Sequence, residues 1–285
     1  MHDSPSSRPA DAVAAFRALH ESGCFVLPNP WDAGTAIYLQ HLGFRALATT
    51  SAGVAFSRGR PDDAPALPLE AMLAHFRDIV QATPLPVNAD FQSGYADEPE
   101  GVAANVTRCL TTGVAGLSIE DNTGRADAPL YEEQLAIERI RAARAAIDAA
   151  GIPVVLTGRC EAWLVDDHDP FRTALARLTS YAEAGADCLY APGVDDAEEI
   201  RAIVQAVAPK PVNVLVHAAG SPLTIARLTD LGVRRVSVGS ALAGAAWGGF
   251  IRAAKTLAQS GTFDGFEGAA AFGDLNTLFR DGLRS

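Results

Sequence analysis

Repetition constrains this chain most: eight short apolar runs of four or five residues alternate with longer stretches of helical period. The runs cover 24–27, 45–49, 87–90, 117–120, 154–157, 188–191, 212–216 and 235–238. Helices are predicted between and after them over 31–41, 69–83, 99–112, a segment ending near 150, 171–184, 197–207, 223–231 and 241–259. Another precedes the first run over 11–22, where Val13, Phe16 and Leu19 recur at helical spacing. Parallel strands require crossover connections and are covered on both faces, so they read as continuous apolar runs. Gly43, Gly113, Gly185 and Gly232 each stand just before a run, as helix C-caps feeding strands would. Eight such units predict an α/β protein: a (β/α)8 TIM-type barrel in one domain, residues 1–285. An open doubly wound sheet is the alternative, and no G-x-G-x-x-G follows the first run to support a dinucleotide fold.

The chain runs on past the barrel. Residues 1–10 read as a polar tail, and 262–285 as a C-terminal helical extension carrying Phe272, Leu275 and Phe279. That surplus apolar face needs a partner, which points to a homo-oligomer. A net charge of −11 argues against a nucleic-acid-binding protein, which would show basic patches. No apolar stretch reaches the ~18 residues of a membrane span. Cys24, Cys109, Cys160 and Cys188 are widely spaced, as reduced thiols of a cytoplasmic protein would be.

In a parallel barrel the carboxyl ends of all strands share one face, where sites are built. Here those ends carry Asp90, Glu120 with Asp121, Arg159 with Glu161, and His217; Asp62 follows the second strand. The only lysines, Lys210 and Lys255, fall off that face, which argues against a lysine imine. The six histidines lack zinc-ligand spacing. What remains is oxygen-rich. A lone acidic residue at a strand end is usually a solvated or capping side chain, but Asp62, Asp90 and Glu120 together suit a hard cation such as Mg²⁺. Arg159 offers a planar fork for a carboxylate. Glu161 either holds Arg159 in place or is simply its ion-pair partner. The loop Thr50-Ser51-Ala52-Gly53 either presents backbone N–H groups to an anion or is a tight turn. Gly239-Ser240 is weak evidence for a phosphate site.

At these residues the chain resembles the isocitrate lyase/phosphoenolpyruvate mutase superfamily. The matching pieces are Asn29-x-Trp31-Asp32-Ala33, Thr50-Ser51-Ala52-Gly53-Val54-Ala55, Gly59-x-Pro61-Asp62, Pro86-Val87-Asn88-Ala89-Asp90 with Gly94-Tyr95, Gly116-Leu117-Ser118-Ile119-Glu120-Asp121, and Arg159-Cys160-Glu161. The resemblance implies a barrel whose eighth helix is swapped between subunits of a dimer or tetramer. It also implies chemistry dependent on Mg²⁺, or Mn²⁺ in its place, on small 2-oxo or 2-hydroxy carboxylates through an enolate. Carried over, Asp62, Asp90 and Glu120 are metal-site carboxylates and catalytic residues with Arg159, which takes the substrate carboxylate. Trp31, Thr50, Ser51, Ala52, Asp90 and Asn213 join Arg159 in substrate binding. Asn88 stands where the family has its principal metal-binding aspartate, keeping an oxygen ligand without the charge. The stretch after strand four, 121–128, carries neither the lyase cysteine motif nor the mutase motif. The reading that follows is a Mg²⁺-dependent carbon–carbon lyase or decarboxylase of a small di- or tricarboxylate, with the proton donor open among water, Tyr95 and His217. Phosphonopyruvate-type P–C chemistry and a 2-oxo acid-binding protein with little catalysis are the alternatives.

Overall fold

A computed structural model describes residues 8–282 except 64 and 66, so most of the tail expected over 1–10 lies outside the described residues. In chain order the elements are α1 (Arg8–Glu21), β1 (Phe25–Leu27), α2 (Ala33–His41), β2 (Leu47–Ala48), α3 (Ser51–Ser57), α4 (Leu69–Ala82), β3 (Val87–Asp90), α5 (Pro99–Leu110), β4 (Gly116–Glu120) and α6 (Glu133–Ala150). Then come β5 (Val155–Arg159), α7 (Pro170–Glu183), β6 (Cys188–Tyr190), α8 (Ala197–Ala206), β7 (Val212–Leu215), α9 (Ile225–Asp230), β8 (Arg235–Ser237) and α10 (Ala241–Ser260). A 3-10 turn, Asp264–Phe266, and α11 (Phe272–Gly282) finish the described chain.

The strands form one parallel sheet in the order β1-β8-β7-β6-β5-β4-β3-β2. The two ends nearly meet, and the Ala48 N–H donates to the Pro28 carbonyl at 3.0 Å across the seam. This is the (β/α)8 barrel that the alternating pattern predicts. Outward strand residues such as Leu117, Leu156, Leu189 and Val214 are fully buried beneath the helices, each worth about 1.5–3 kcal/mol of burial. The glycines ahead of strands take left-handed backbone, for example Gly113 at φ +86° and Gly232 at φ +88°, a conformation closed to most side chains.

Helix α1 closes the amino-terminal end of the barrel. Phe16 is fully buried and lies against Gly116 at the start of β4, where a Cβ would come within 2.6 Å of its ring. His20, from the same helix, reaches Arg235 at the start of β8.

One segment departs from expectation. The stretch from Thr50 is not a loop but the capped start of α3: the Thr50 hydroxyl accepts from the Gly53 N–H at 3.2 Å. At the other end of the chain, α10 buries only Ala243 and leaves Trp247, Phe250, Ile251 and Leu257 exposed. Helix α11 packs on α2, with the Phe279 ring 3.5 Å from where a Cβ on Gly34 would be, but Phe272 is 85% exposed.

Candidate active site

Four adjacent strands, β3 to β6, set the polar groups of the barrel mouth. Registry places Asp90 beside Ser118, and Glu120 beside Arg159, which in turn faces Tyr190. Because side chains alternate along a strand, Asn88 and Asp90, and Gly116, Ser118 and Glu120, all face the barrel interior.

Arg159 is the hub. Its Nη1 stands 3.3 Å from Asp90 Oδ1 and 3.3 Å from Glu120 Oε2. Nη2 donates to Glu161 Oε2 at 3.0 Å, and Nε donates to Glu161 Oε1. Its guanidinium also lies 5.2 Å from the Tyr190 ring centre. Burial works against the Arg159 charge, but Glu161 and Glu120 outweigh it and raise its pKa. Burial raises the Glu120 pKa well above the carboxylate range, despite Arg159 beside it.

Asp90 is fixed from two sides. Its N–H donates to Thr49 Oγ1 at 2.9 Å, and its Oδ2 accepts from the Ser51 N–H at 2.8 Å. The backbone donor that sequence reading offers to an anion is thus already taken by Asp90. Asp62 faces the same space. Burial of its carboxyl, then repulsion from Asp90, pushes its pKa up to about 6, although the residue as a whole is exposed and water screens part of the effect.

Behind the rim, Asp121 organises a buried scaffold. Its Oδ1 accepts from the Glu161 N–H at 2.8 Å, and its Oδ2 from Arg177 at 3.0 Å and the Tyr181 hydroxyl at 2.7 Å. Asn29 bolts the barrel seam. Its Nδ2 donates to the Thr49 carbonyl at 3.0 Å, and its Oδ1 accepts from the N–H groups of Val238 and Gly239 at 3.0 and 2.9 Å. The Gly239 N–H is therefore committed to Asn29.

Two spaces flank Arg159. The upper is a cavity of about 390 Å³ lined by Ser51, Asp62, Gln92, Glu120 and Leu164, with Asn122 and Gly124 from the connection after β4. That connection is an ordered hairpin: Asn122 bridges Leu130, and the Thr123 N–H donates to the Pro129 carbonyl at 2.9 Å. The lower is a cavity of about 50 Å³ inside the barrel, reached by Asn88, Asp90, Asn213, Arg235 and Ser237. Thr50 lines the lower cavity; Trp31 and Ala52 line neither. So the structure brings Asp62, Asp90, Glu120 and Arg159 to one rim, and sets Asn88 and Asn213 below it.

The donors suit a hard divalent cation. Asp90 and Glu120 crowd one guanidinium with Asp62 in the same cavity wall, and Mg²⁺ takes one or two carboxylates while keeping several waters. Among the described residues no three acidic, His or Cys side chains meet closely enough to hold an ion directly, so water would complete the shell. Asn88 Oδ1 is buried without a hydrogen-bond partner; it lies against Gly116, where a Cβ would come within 2.6 Å of it. Of the candidate acids, Tyr95 donates to Gln92 Oε1 at 3.0 Å, and its pKa is raised by burial and then by Asp90. His217 is exposed and lines neither cavity. Cys160 is buried, and burial raises its thiol.

Sequence reading missed Tyr190, Ser237 and Arg235. A signal existed: β8 and β7 read Arg-Val-Ser and Val-Asn-Val-Leu, alternating polar with apolar inside a buried sheet, as a polar barrel interior requires.

A family model described as phosphoenolpyruvate phosphomutase matches residues 16–258. An uncharacterised protein of Mycobacterium tuberculosis is 34% identical over 232 residues, spanning 79% of this chain and 82% of that one. An oxaloacetate decarboxylase of Pseudomonas entomophila is 29% identical over 248 residues, spanning 83% and 81%. A solved structure of a candidate lyase/mutase from Burkholderia cenocepacia is similar at 48% identity and a TM-score of 0.91, covering 96% of this chain and 97% of that one.

Proposed function

The chain belongs to the isocitrate lyase/phosphoenolpyruvate mutase superfamily, and on that footing we propose a carbon–carbon lyase or decarboxylase acting on a small 2-oxo or 2-hydroxy di- or tricarboxylate. The observation that carries this reading is the contact of Arg159 with Asp90, Glu120 and Glu161 at the rim of the upper cavity. A Mg²⁺ or Mn²⁺ ion held by Asp62, Asp90 and Glu120, partly through water, would supply the Lewis acidity that stabilises enolate charge.

The chain's own residues do the rest. Arg159 draws a substrate carboxylate to the rim, and Glu161 keeps its fork from turning. At the opening of α3, Thr50 borders the lower cavity and Ser51 the upper one, beside the substrate's carboxylate and oxo oxygens, while the Ser51 N–H holds Asp90 in register. The Tyr95 hydroxyl donates to Gln92 Oε1 and His217 stands off the site, so water entering the upper cavity protonates the enolate carbon. Decarboxylation of an oxaloacetate-like acid asks least of a protein acid, and the Pseudomonas relative is named for that reaction. Four free cysteines suit a reducing, cytoplasmic setting. No described helix is long and apolar enough to cross a membrane. The exposed apolar face of α10 fits exchange of this helix with a second copy, in a dimer or tetramer.

An assay over oxaloacetate, malate-type and citrate-type acids, with Mg²⁺ and with EDTA, tests the proposal. Turnover of at least one, abolished by EDTA, is expected; no turnover of any would remove it. Asn88 favours a second reading, a 2-oxo acid-binding protein with little catalysis, which calorimetry would reveal as binding without conversion.

A further inference from the structure

Charge is distributed unevenly along the barrel axis. At the rim, Asp90, Glu120 and Glu161 pair with the single guanidinium of Arg159, and Asp62 lines the cavity beside it. Below it lies a second guanidinium with no such company. Arg235 is 2% exposed, and its three nitrogens meet only neutral groups: Asn213 Oδ1 at 2.9 Å, Thr157 Oγ1 at 3.1 Å and His20 Nε2 at 3.3 Å. His20 cannot relieve the charge. Its Nδ1 lies 2.8 Å from the Phe16 carbonyl and so carries the proton, which leaves Nε2 as an acceptor for Arg235. Among the described residues no carboxylate forms an ion pair with Arg235.

A buried, uncompensated cation is costly, and here it borders open space. Arg235 lines the lower cavity of about 50 Å³ together with Asn88, Asn213 and Ser237. Asn88 Oδ1, in the same wall and 4% exposed as a residue, has no hydrogen-bond partner. The space thus offers a positive charge to an anion, since the one carboxylate in its wall, Asp90, is already held by Arg159 and the Ser51 N–H, and Arg159 spans the boundary between it and the upper cavity. Because Arg159 is already surrounded by carboxylates and Arg235 is not, the stronger unmet attraction for an anion lies deeper in the barrel.

We propose that the lower cavity is a second carboxylate subsite: Arg235, with Asn213 orienting its fork, receives the distal carboxylate of the substrate while the reacting end stays at Arg159. The proposal rests on the lyase reading above and narrows its substrate to a dicarboxylate with both charges on one short chain. A merely structural Arg235 would instead keep ordered water between itself and Asn88 in every liganded state.

Calorimetric titration of the full-length protein with malonate, succinate and glutarate, against propionate, butyrate and pentanoate, tests this with Mg²⁺ present throughout. At least one dicarboxylate should bind ten times or more tightly than the monocarboxylate of equal length. Arg235→Gln should bring that ratio below threefold, and Arg235→Lys should retain most of it. Equal affinities in the wild type, or an undiminished ratio in folded Arg235→Gln, would overturn the subsite. If Arg235→Gln does not fold, a crystal structure of the wild type with the tightest dicarboxylate decides. A carboxylate on Arg235 supports the proposal, and water alone there overturns it. Dicarboxylate preference without turnover would defeat the lyase reading and leave the subsite standing; turnover without the preference would do the reverse.

Discussion

Glu161 grips Arg159 from two residues further along the same chain: Oε2 accepts from Nη2 at 3.0 Å while Oε1 accepts from Nε. The grip is itself held, because the Glu161 N–H is fixed on Asp121. Charged hydrogen bonds of this kind are worth about 1.5–3 kcal/mol, and the fork presents its remaining donors only while its plane is fixed. Glu161→Gln should therefore lower kcat/KM by roughly 10- to 100-fold, mainly by raising KM. Steady-state kinetics on the best substrate checks this, and an unchanged KM would remove Glu161 from the positioning chain.

Asn88 stands at the position where the family carries an acidic metal ligand, and its Oδ1 has no partner in the structure. On the proposed metal site, Asn88→Asp would add a charge to the donors, so Mg²⁺ should bind at least about tenfold more tightly. The same charge lines the cavity that holds Arg235 and would compete there with an incoming carboxylate. Calorimetric Mg²⁺ titration of both proteins measures the first effect, and the affinity for succinate the second.

His75 makes stability pH-dependent. Burial, then the nearby Arg58, lowers its pKa to about 4 from 6.5, and its Nε2 has no partner. Between those values the unfolded chain binds a proton that the folded chain refuses. Stability from this group is therefore complete above pH 6.5 and is lost as pH falls toward 4, by at most about 3 kcal/mol. Asp62, raised to about 6, works in the opposite direction, since its folded form takes up a proton first. The difference in Tm between pH 7.5 and 4.5 should thus be smaller for His75→Leu than for the wild type. An identical pH slope in the two proteins would count against this reading of His75.

On α10, Trp247 and Phe250 pack edge to face, with ring centres 5.5 Å apart, and are 39% and 62% exposed. An aromatic pair left open on a helix that buries only Ala243 calls for a covering surface. Trp247→Asp with Phe250→Asp should shift the protein to monomer in sedimentation analysis while its far-ultraviolet spectrum stays unchanged. A wild type that already sediments as a monomer would refute helix exchange.

Much of this architecture was legible in the residues. The eight apolar runs fall on the eight strands because a strand buried on both faces tolerates little else, and Asp90, Glu120 and Arg159 sit at strand ends that the barrel gathers. Helix α3 was not legible. Ser51-Ala52-Gly53-Val54 is too short for a period to emerge, and what makes it helical is the single Thr50 cap. The division of the site into two levels was also hidden. Arg235 and Asn213 come together only because β7 and β8 pair in one register, and the lack of a carboxylate paired with Arg235 among the described residues is a property of three-dimensional neighbours alone.

Proton exchange at C3 of pyruvate in D₂O, followed by ¹H NMR, tests most directly whether this rim stabilises an enolate. With Mg²⁺ present, the wild type should exchange the methyl protons well above the buffer rate, and EDTA or Asp90→Ala should abolish the effect. Exchange at the buffer rate with Mg²⁺ bound would contradict enolate chemistry at Asp62, Asp90, Glu120 and Arg159.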